Sequence, residues 1–194
     1  DASILEFTAT ITDASIKTLA IDLVFGSDEY PEFADSSFVD IAAVIVNGVN
    51  YGLFSNGAPL SITQANNAFN NVSANQGLPI EYDGMSGRLT VFMPVKLGVN
   101  QIRLGVADTG DSILDSGLFL SNLRALSGGV STGVKLEIVA PTNGGVVSSA
   151  SPTLAIAEIF YGSAFDDTII AGAGDDYANS SGGNDTFIMG DGAD

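Results

Sequence analysis

Residues 162–194 read Gly162-Ser-Ala-Phe-Asp-Asp-Thr-Ile-Ile170, Ala171-Gly-Ala-Gly-Asp-Asp-Tyr-Ala-Asn179, Ser180-Ser-Gly-Gly-Asn-Asp-Thr-Phe-Ile188 and Met189-Gly-Asp-Gly-Ala-Asp194. Cut into nines, the stretch puts Asp167, Asp176, Asp185 and Asp194 at one position, with Ile169, Ala178 and Phe187 two residues after the first three. Glycines recur at Gly172, Gly174, Gly183, Gly190 and Gly192. Six residues of each nine suit a glycine-rich turn, and three suit a short strand. Glycine admits positive φ and lets carbonyls aim inward. The Asp closes an oxygen shell, and the apolar residue, expected to point inward, fills a thin core. A flexible linker has no reason to keep both residue types in register. One coil takes two such units, so ions are expected to bridge turns two nonapeptides apart, pairing Asp167 with Asp185 and Asp176 with Asp194. Without the ion these carboxylates repel one another, and the tail is expected to lose order in chelator.

The pattern resembles the RTX nonapeptide G-G-x-G-x-D-x-U-x, in which U is a large apolar residue. The resemblance implies calcium, an extracellular setting, export by type I secretion and folding deferred until after export. Phe165 stands where the pattern has glycine, and Ala178 is a small apolar residue.

The rest of the chain limits the chemistry. There is no Cys and no His, so thiolate or imidazole metal sites and Ser–His or Cys–His catalysis are excluded. The available ligands are hard oxygens, which suit calcium or magnesium. Of 23 acidic residues 17 are Asp, an excess that favours turns and calcium loops over a merely solvated acidic surface. Six basic residues in a chain of net charge −17 make nucleic acid an implausible partner. No apolar run reaches the length of a membrane span, so no membrane insertion is expected. Asp1 and Glu6 stand where a signal peptide would be basic, and the chain does not begin with Met. It is expected to be a monomeric module of a much longer chain.

Residues 1–139 read as β. Ile4–Ile11, Thr18–Phe25, Phe38–Val46, Arg88–Val95, Gln101–Val106, Gly117–Leu126 and Val134–Val139 are rich in β-branched and aromatic residues, with turn residues between them. Leu19, Ile21 and Leu23 share one face of their strand, and Asn47-Gly48 suits a tight hairpin turn. The expected fold is all-β: an antiparallel, jelly-roll-like sandwich over 1–139, then a short C-terminal calcium-binding β-roll over 162–194. Residues 140–161 are expected as a linker or crossover strand, since Pro141–Pro152 is rich in Gly and Ser. Ser61–Ser73 reads as a long surface loop, and Asn71-Val-Ser73 within it matches a glycosylation acceptor.

Three acidic loops sit at strand ends. The first is Phe25-Gly-Ser-Asp-Glu-Tyr-Pro-Glu-Phe33, followed by Asp40. The second is Glu81-Tyr-Asp-Gly84, and the third is Val106-Ala-Asp-Thr-Gly-Asp-Ser-Ile-Leu-Asp-Ser-Gly117. Asp108, Asp111 and Asp115 are spaced for one loop to wrap a calcium ion, with backbone carbonyls completing the shell. Asp28, Glu29, Asp40 and Asp83 are further candidate metal ligands. An ion held by too few carboxylates keeps an open position that a peptide carboxylate can fill. Tyr30, Tyr51 and Tyr82 offer flat apolar walls with a polar tip. Arg88, Arg103 and Arg124 are the scarce cations able to meet a second carboxylate.

These loops resemble the bacterial surface domain called choice-of-anchor L, whose recurring pieces are similar to FGSDEYPEF, EYDG and ADTGDSILDSGLFL. A module of this kind followed by RTX repeats is similar to the peptide-binding domain of giant RTX adhesins of bacterial surfaces and biofilms. The resemblance implies a calcium-dependent module that binds the free C-terminal ends of host-surface polypeptides, with the peptide carboxylate on a bound ion. Asp28, Glu29, Tyr30, Tyr82, Asp83, Asp108 and Asp111 are then the expected ligand-binding residues. Three other readings stay open. A calcium lectin would use Glu81-Tyr82-Asp83 on sugar hydroxyls. A spacer would use calcium only for stiffness, although long irregular loops favour binding. A glycosidase would need a carboxylate pair such as Asp28 and Glu29; with every acidic cluster better explained by metal, no enzyme activity is expected.

Overall fold

The computed structural model describes residues 2–34, 36–54, 57–61, 80–108, 115–127, 132–149 and 157–194. The candidate ligand Asp111 and the Asn71-Val-Ser73 acceptor lie outside them. The fold is all-β, with no helix among the described residues. It divides into two compact units, 1–53 with 57–134 and 54–56 with 135–194.

Unit 1 holds two antiparallel sheets. One is ordered β1 (Ala2–Ile11), β8 (Gly98–Ala107), β3 (Ile41–Val46) and β4 (Val49–Asn50), with β5 (Leu60–Ser61) also on β3. In the other, β2 (Ile16–Ser27) is flanked by β9 (Ser116–Ser127) on one edge and by β7 (Leu89–Pro94) and β6 (Gly84–Met85). Alternation explains the core. Leu19, Ile21, Leu23 and Phe25 are buried with Leu89, Val91 and Met93 from the neighbouring strand. Val44, Val46, Ile102 and Leu104 supply the facing sheet. Asn47 (φ 52°) and Gly48 (φ 87°) join β3 to β4 through a two-residue turn with both φ positive, the geometry expected of that dipeptide.

A carboxylate is buried in mid-strand in β2. Asp22 is 5% exposed and accepts from Thr90 Oγ1 (2.9 Å), Asn122 Nδ2 (2.8 Å) and Arg124 Nη1 (2.5 Å). The register of β2 against β9 slips between Ala20 and Asp22, and Asn122 has φ 51°. That bulge turns Asn122 onto the carboxylate. Burial alone would raise the pKa of Asp22, but the three donors and the Arg124 charge outweigh it and hold it below the ordinary value.

Unit 2 is a parallel roll. β10 (Gly133–Val139), β12 (Glu158–Tyr161) and β14 (Tyr177–Asn179) form one sheet. β11 (Gly145–Ser148), β13 (Asp167–Ile170) and β15 (Thr186–Ile188) form the other. Residues 140–161, expected as linker or crossover, therefore contain β11 and β12. The chain alternates between the sheets, and Ile159 pairs with Tyr177 as Thr168 pairs with Thr186, the coil of two nonapeptides expected from the repeat. The first coil takes a longer stride: Leu136 pairs with Glu158, and Gly145 with Asp167.

The core of the roll is thin: Ala140, Val147, Phe160, Ile169 and Ala171, with Ile138, Ala178 and Met189 packed against it. The expectation that Ile169, Ala178 and Phe187 all point into a core holds unevenly. Ile169 is fully buried and Ala178 half-buried, but Phe187, paired with Ile169, is 44% exposed. Phe187 lies on an edge strand with no described strand on its far side, so part of its ring stays open to solvent.

Candidate functional site

The turns of the roll explain why acidic residues come in adjacent pairs. Asp167 N–H donates to Asp185 Oδ1 (2.9 Å), and Asp176 N–H donates to Asp194 Oδ1 (3.0 Å). The residue before each Asp makes the return bond. Asn184 N–H donates to Asp166 Oδ1 (2.7 Å), and Ala193 N–H donates to Asp175 Oδ1 (3.0 Å). Successive coils are thus laced by carboxylate–amide bonds running in both directions. Glu158 takes the same place one coil earlier, donating its N–H to Asp176 Oδ1 (2.8 Å). Asp166, Asp175 and Glu158 were not singled out from sequence, although the doubled Asp at 166–167 and 175–176 was the available signal.

The turn backbones pack too closely for side chains. Gly190 has φ 92°, and a Cβ there would fall onto the carbonyl oxygen of Gly172. That carbonyl accepts from Asp191 N–H (3.1 Å). Unit 2 carries nine carboxylates against one basic side chain, Lys135. Asp176 is 4% exposed and its Oδ2 is buried with no hydrogen-bond partner. Burial raises its pKa, and the charges of Asp194 and Asp175 add to the rise. A buried acceptor oxygen in an acidic field, beside turn carbonyls, fits a hard cation. Asp167 differs: its Oδ2 accepts from Ser163 N–H (2.6 Å) and Ser163 Oγ (3.0 Å), and its Oδ1 accepts from Gly145 N–H (3.0 Å). Those bonds, led by the Ser163 amide, lower its pKa.

In unit 1 the three acidic loops resolve into two groups. Asp28 follows β2; its N–H donates to the Asp115 carbonyl (3.0 Å), and its Oδ1 accepts from Asp83 N–H (3.2 Å). Asp28, Asp83 and Asp115 therefore meet, one from each loop. Partial burial raises the pKa of Asp28, and the charges of Asp83 and Asp115 push the same way. Tyr82 lies over Gly26 and Gly117, which are direct partners across β2 and β9. A Cβ on Gly26 would come within 2.7 Å of the ring, and one on Gly117 would strike the hydroxyl. Phe119 meets Tyr82 edge-on, with centroids 6.0 Å apart. Burial raises the Tyr82 pKa, with Asp115, Asp28 and Glu81 adding to it. Tyr30 packs on Gly84 in the same way, a Cβ there coming within 2.5 Å of it.

The second group is buried. Glu29 (1% exposed) accepts the N–H of Asp40 (0% exposed) on Oε2 at 3.1 Å. Ile41 pairs with Ala107, so the residues next along that antiparallel register are Asp40 and Asp108. Asp108 Oδ1 is buried without a hydrogen-bond partner. Arg103 is committed to Glu6 (3.1 Å) and Arg124 to Asp22. Among the described residues no three carboxylates form a metal cage by side chains alone, so carbonyl oxygens would have to share in any shell.

Comparison with known proteins agrees with this division. The choice-of-anchor L domain family matches residues 1–123. The RTX calcium-binding nonapeptide repeat family matches residues 157–194. No curated protein and no solved structure matches the chain. The repeats make Ca2+ the cofactor of the C-terminal part, and the two features together suggest a secreted, surface-associated module. By the match over residues 1–123, this chain belongs to the choice-of-anchor L domain family, and it carries RTX calcium-binding repeats at its C-terminal end.

Proposed function

We propose that this chain is a calcium-dependent adhesin module that binds the free C-terminal ends of host-surface polypeptides, with the peptide carboxylate on a bound calcium ion. The observation that carries the reading is the meeting of Asp28, Asp83 and Asp115 beside Tyr82. Asp83 and Asp115 are exposed and Asp28 half-buried, so an ion there keeps a face toward solvent. Glu29 and Asp40 are instead buried, as is the Oδ1 atom of Asp108, and an ion among them is structural. A carboxylate arriving from solvent is a hard oxygen donor that completes the outer shell, and Tyr82 with Phe119 gives the preceding side chain an apolar wall. Export by type I secretion and a role in adhesion belong to the same proposal.

The direct test exposes the protein to a free-C-terminus peptide library and to a glycan array, each in calcium and in EGTA. Peptide capture in calcium alone supports the proposal. Capture of glycans alone replaces it with a lectin, and capture of neither leaves a calcium-stiffened spacer.

A further inference from the structure

The first coil of the roll is built differently from those after it. At the second joints a single backbone amide is described on each carboxylate, Asp167 N–H on Asp185 and Asp176 N–H on Asp194. At the first joint in one column of turns, protein donors take both oxygens of Asp167, from Gly145 and Ser163. In the other column, Glu158 N–H holds Asp176 Oδ1, and a cation is already present. Lys135 is 5% exposed, and its Nζ donates to the Asp175 carbonyl at 2.8 Å. It is the only basic residue of unit 2, and it projects into the turn that carries Asp175 and Asp176. Burial pushes its pKa down, while the charges of Asp176, Asp175 and Asp194 push it up.

We propose that the Lys135 ammonium takes the electrostatic place of a calcium ion at the head of this column, and that with Ser163 it makes the first coil a calcium-independent cap from which the roll grows. A buried ammonium on a turn carbonyl, facing carboxylates, offsets the repulsion that a divalent ion offsets in later coils. Repeat arrays are held by neighbour-to-neighbour interfaces, so one preformed coil supplies the template on which the next can order. The first coil also steps farther than two nonapeptides, off the period of the later, ion-binding coils. The inference concerns unit 2 only and does not depend on what unit 1 binds.

The test is amide hydrogen exchange on the full chain. Leu136 and Ala140 report on the first coil, through bonds to Ala157 and Tyr161. Ala171 and Gly174 report on the later coils, through bonds to Ile188 and Asp191. In excess EGTA the first pair is expected to exchange at least tenfold more slowly than the second, and in calcium all four are expected to be protected. Lys135→Met is expected to abolish the difference in EGTA, and Lys135→Arg to keep it. Equal exchange of the two pairs in the wild-type protein in EGTA would overturn the proposal. So would retained protection in Lys135→Met, or equal loss in Lys135→Arg and Lys135→Met.

Discussion

The backbone N–H of Asp176 donates to Asp194 Oδ1 at 3.0 Å, from one coil to the next, while Asp176 Oδ2 lies buried without a hydrogen-bond partner. One residue thus uses its amide to hold the next coil, its Oδ1 to hold the Glu158 amide, and leaves its Oδ2 for a cation. Asp176→Ala is expected to lower calcium affinity by roughly tenfold or more. It is also expected to cost about 1–3 kcal/mol in calcium, because the Glu158 amide loses its acceptor. Calcium titration and chemical denaturation check both; an unchanged calcium midpoint would remove Asp176 from the ion site.

The Asp22 network predicts acid sensitivity in unit 1. Its folded pKa lies below the ordinary 3.8, so the stability it contributes is present above that value and is lost as pH falls through the folded value. Arg124→Met is expected to cost about 2 kcal/mol or more at pH 7, since it strips a buried carboxylate of its cation. The difference between wild type and Asp22→Asn should shrink as pH falls below about 4. Denaturation midpoints at pH 7 and pH 3 measure it, and a difference independent of pH would refute the assignment.

Gly117 and Gly26 form the floor beneath Tyr82. Gly117→Ala is expected to cost about 1–3 kcal/mol through overpacking against the ring. Tyr82→Ala in the same chain should recover most of that cost. If the two costs simply add, the ring does not rest on Gly117.

Much of this was open to sequence reading. The strands of unit 1 follow from alternation, as Leu19, Ile21 and Leu23 show, and Asn47-Gly48 announces its turn. The nonapeptide period set the coil at two repeats. The first coil stayed hidden because Gly145-Val-Val-Ser148 sits in a Gly/Ser-rich stretch and pairs with Asp167–Ile170 off the repeat period. Lys135 and Ser163 were invisible for the same reason: their partners are set by that irregular coil. In unit 1 each acidic loop was legible alone. Their sorting into Asp28–Asp83–Asp115 and Glu29–Asp40 was not, because contacts between loops so distant in the chain depend on how β2, β6 and β9 align. The exposure of Phe187 was missed because periodicity gives a residue's face and says nothing of whether another strand covers it.

The central claim is that a peptide carboxylate completes a calcium shell beside Asp28 and Tyr82. The most direct measurement compares one captured peptide with its C-terminally amidated form, by calorimetry with the full chain in calcium and in EGTA. The account predicts binding of the free acid in calcium, with loss of at least tenfold on amidation and loss of binding in EGTA. Equal binding of the amide, or binding that survives chelation, would contradict it.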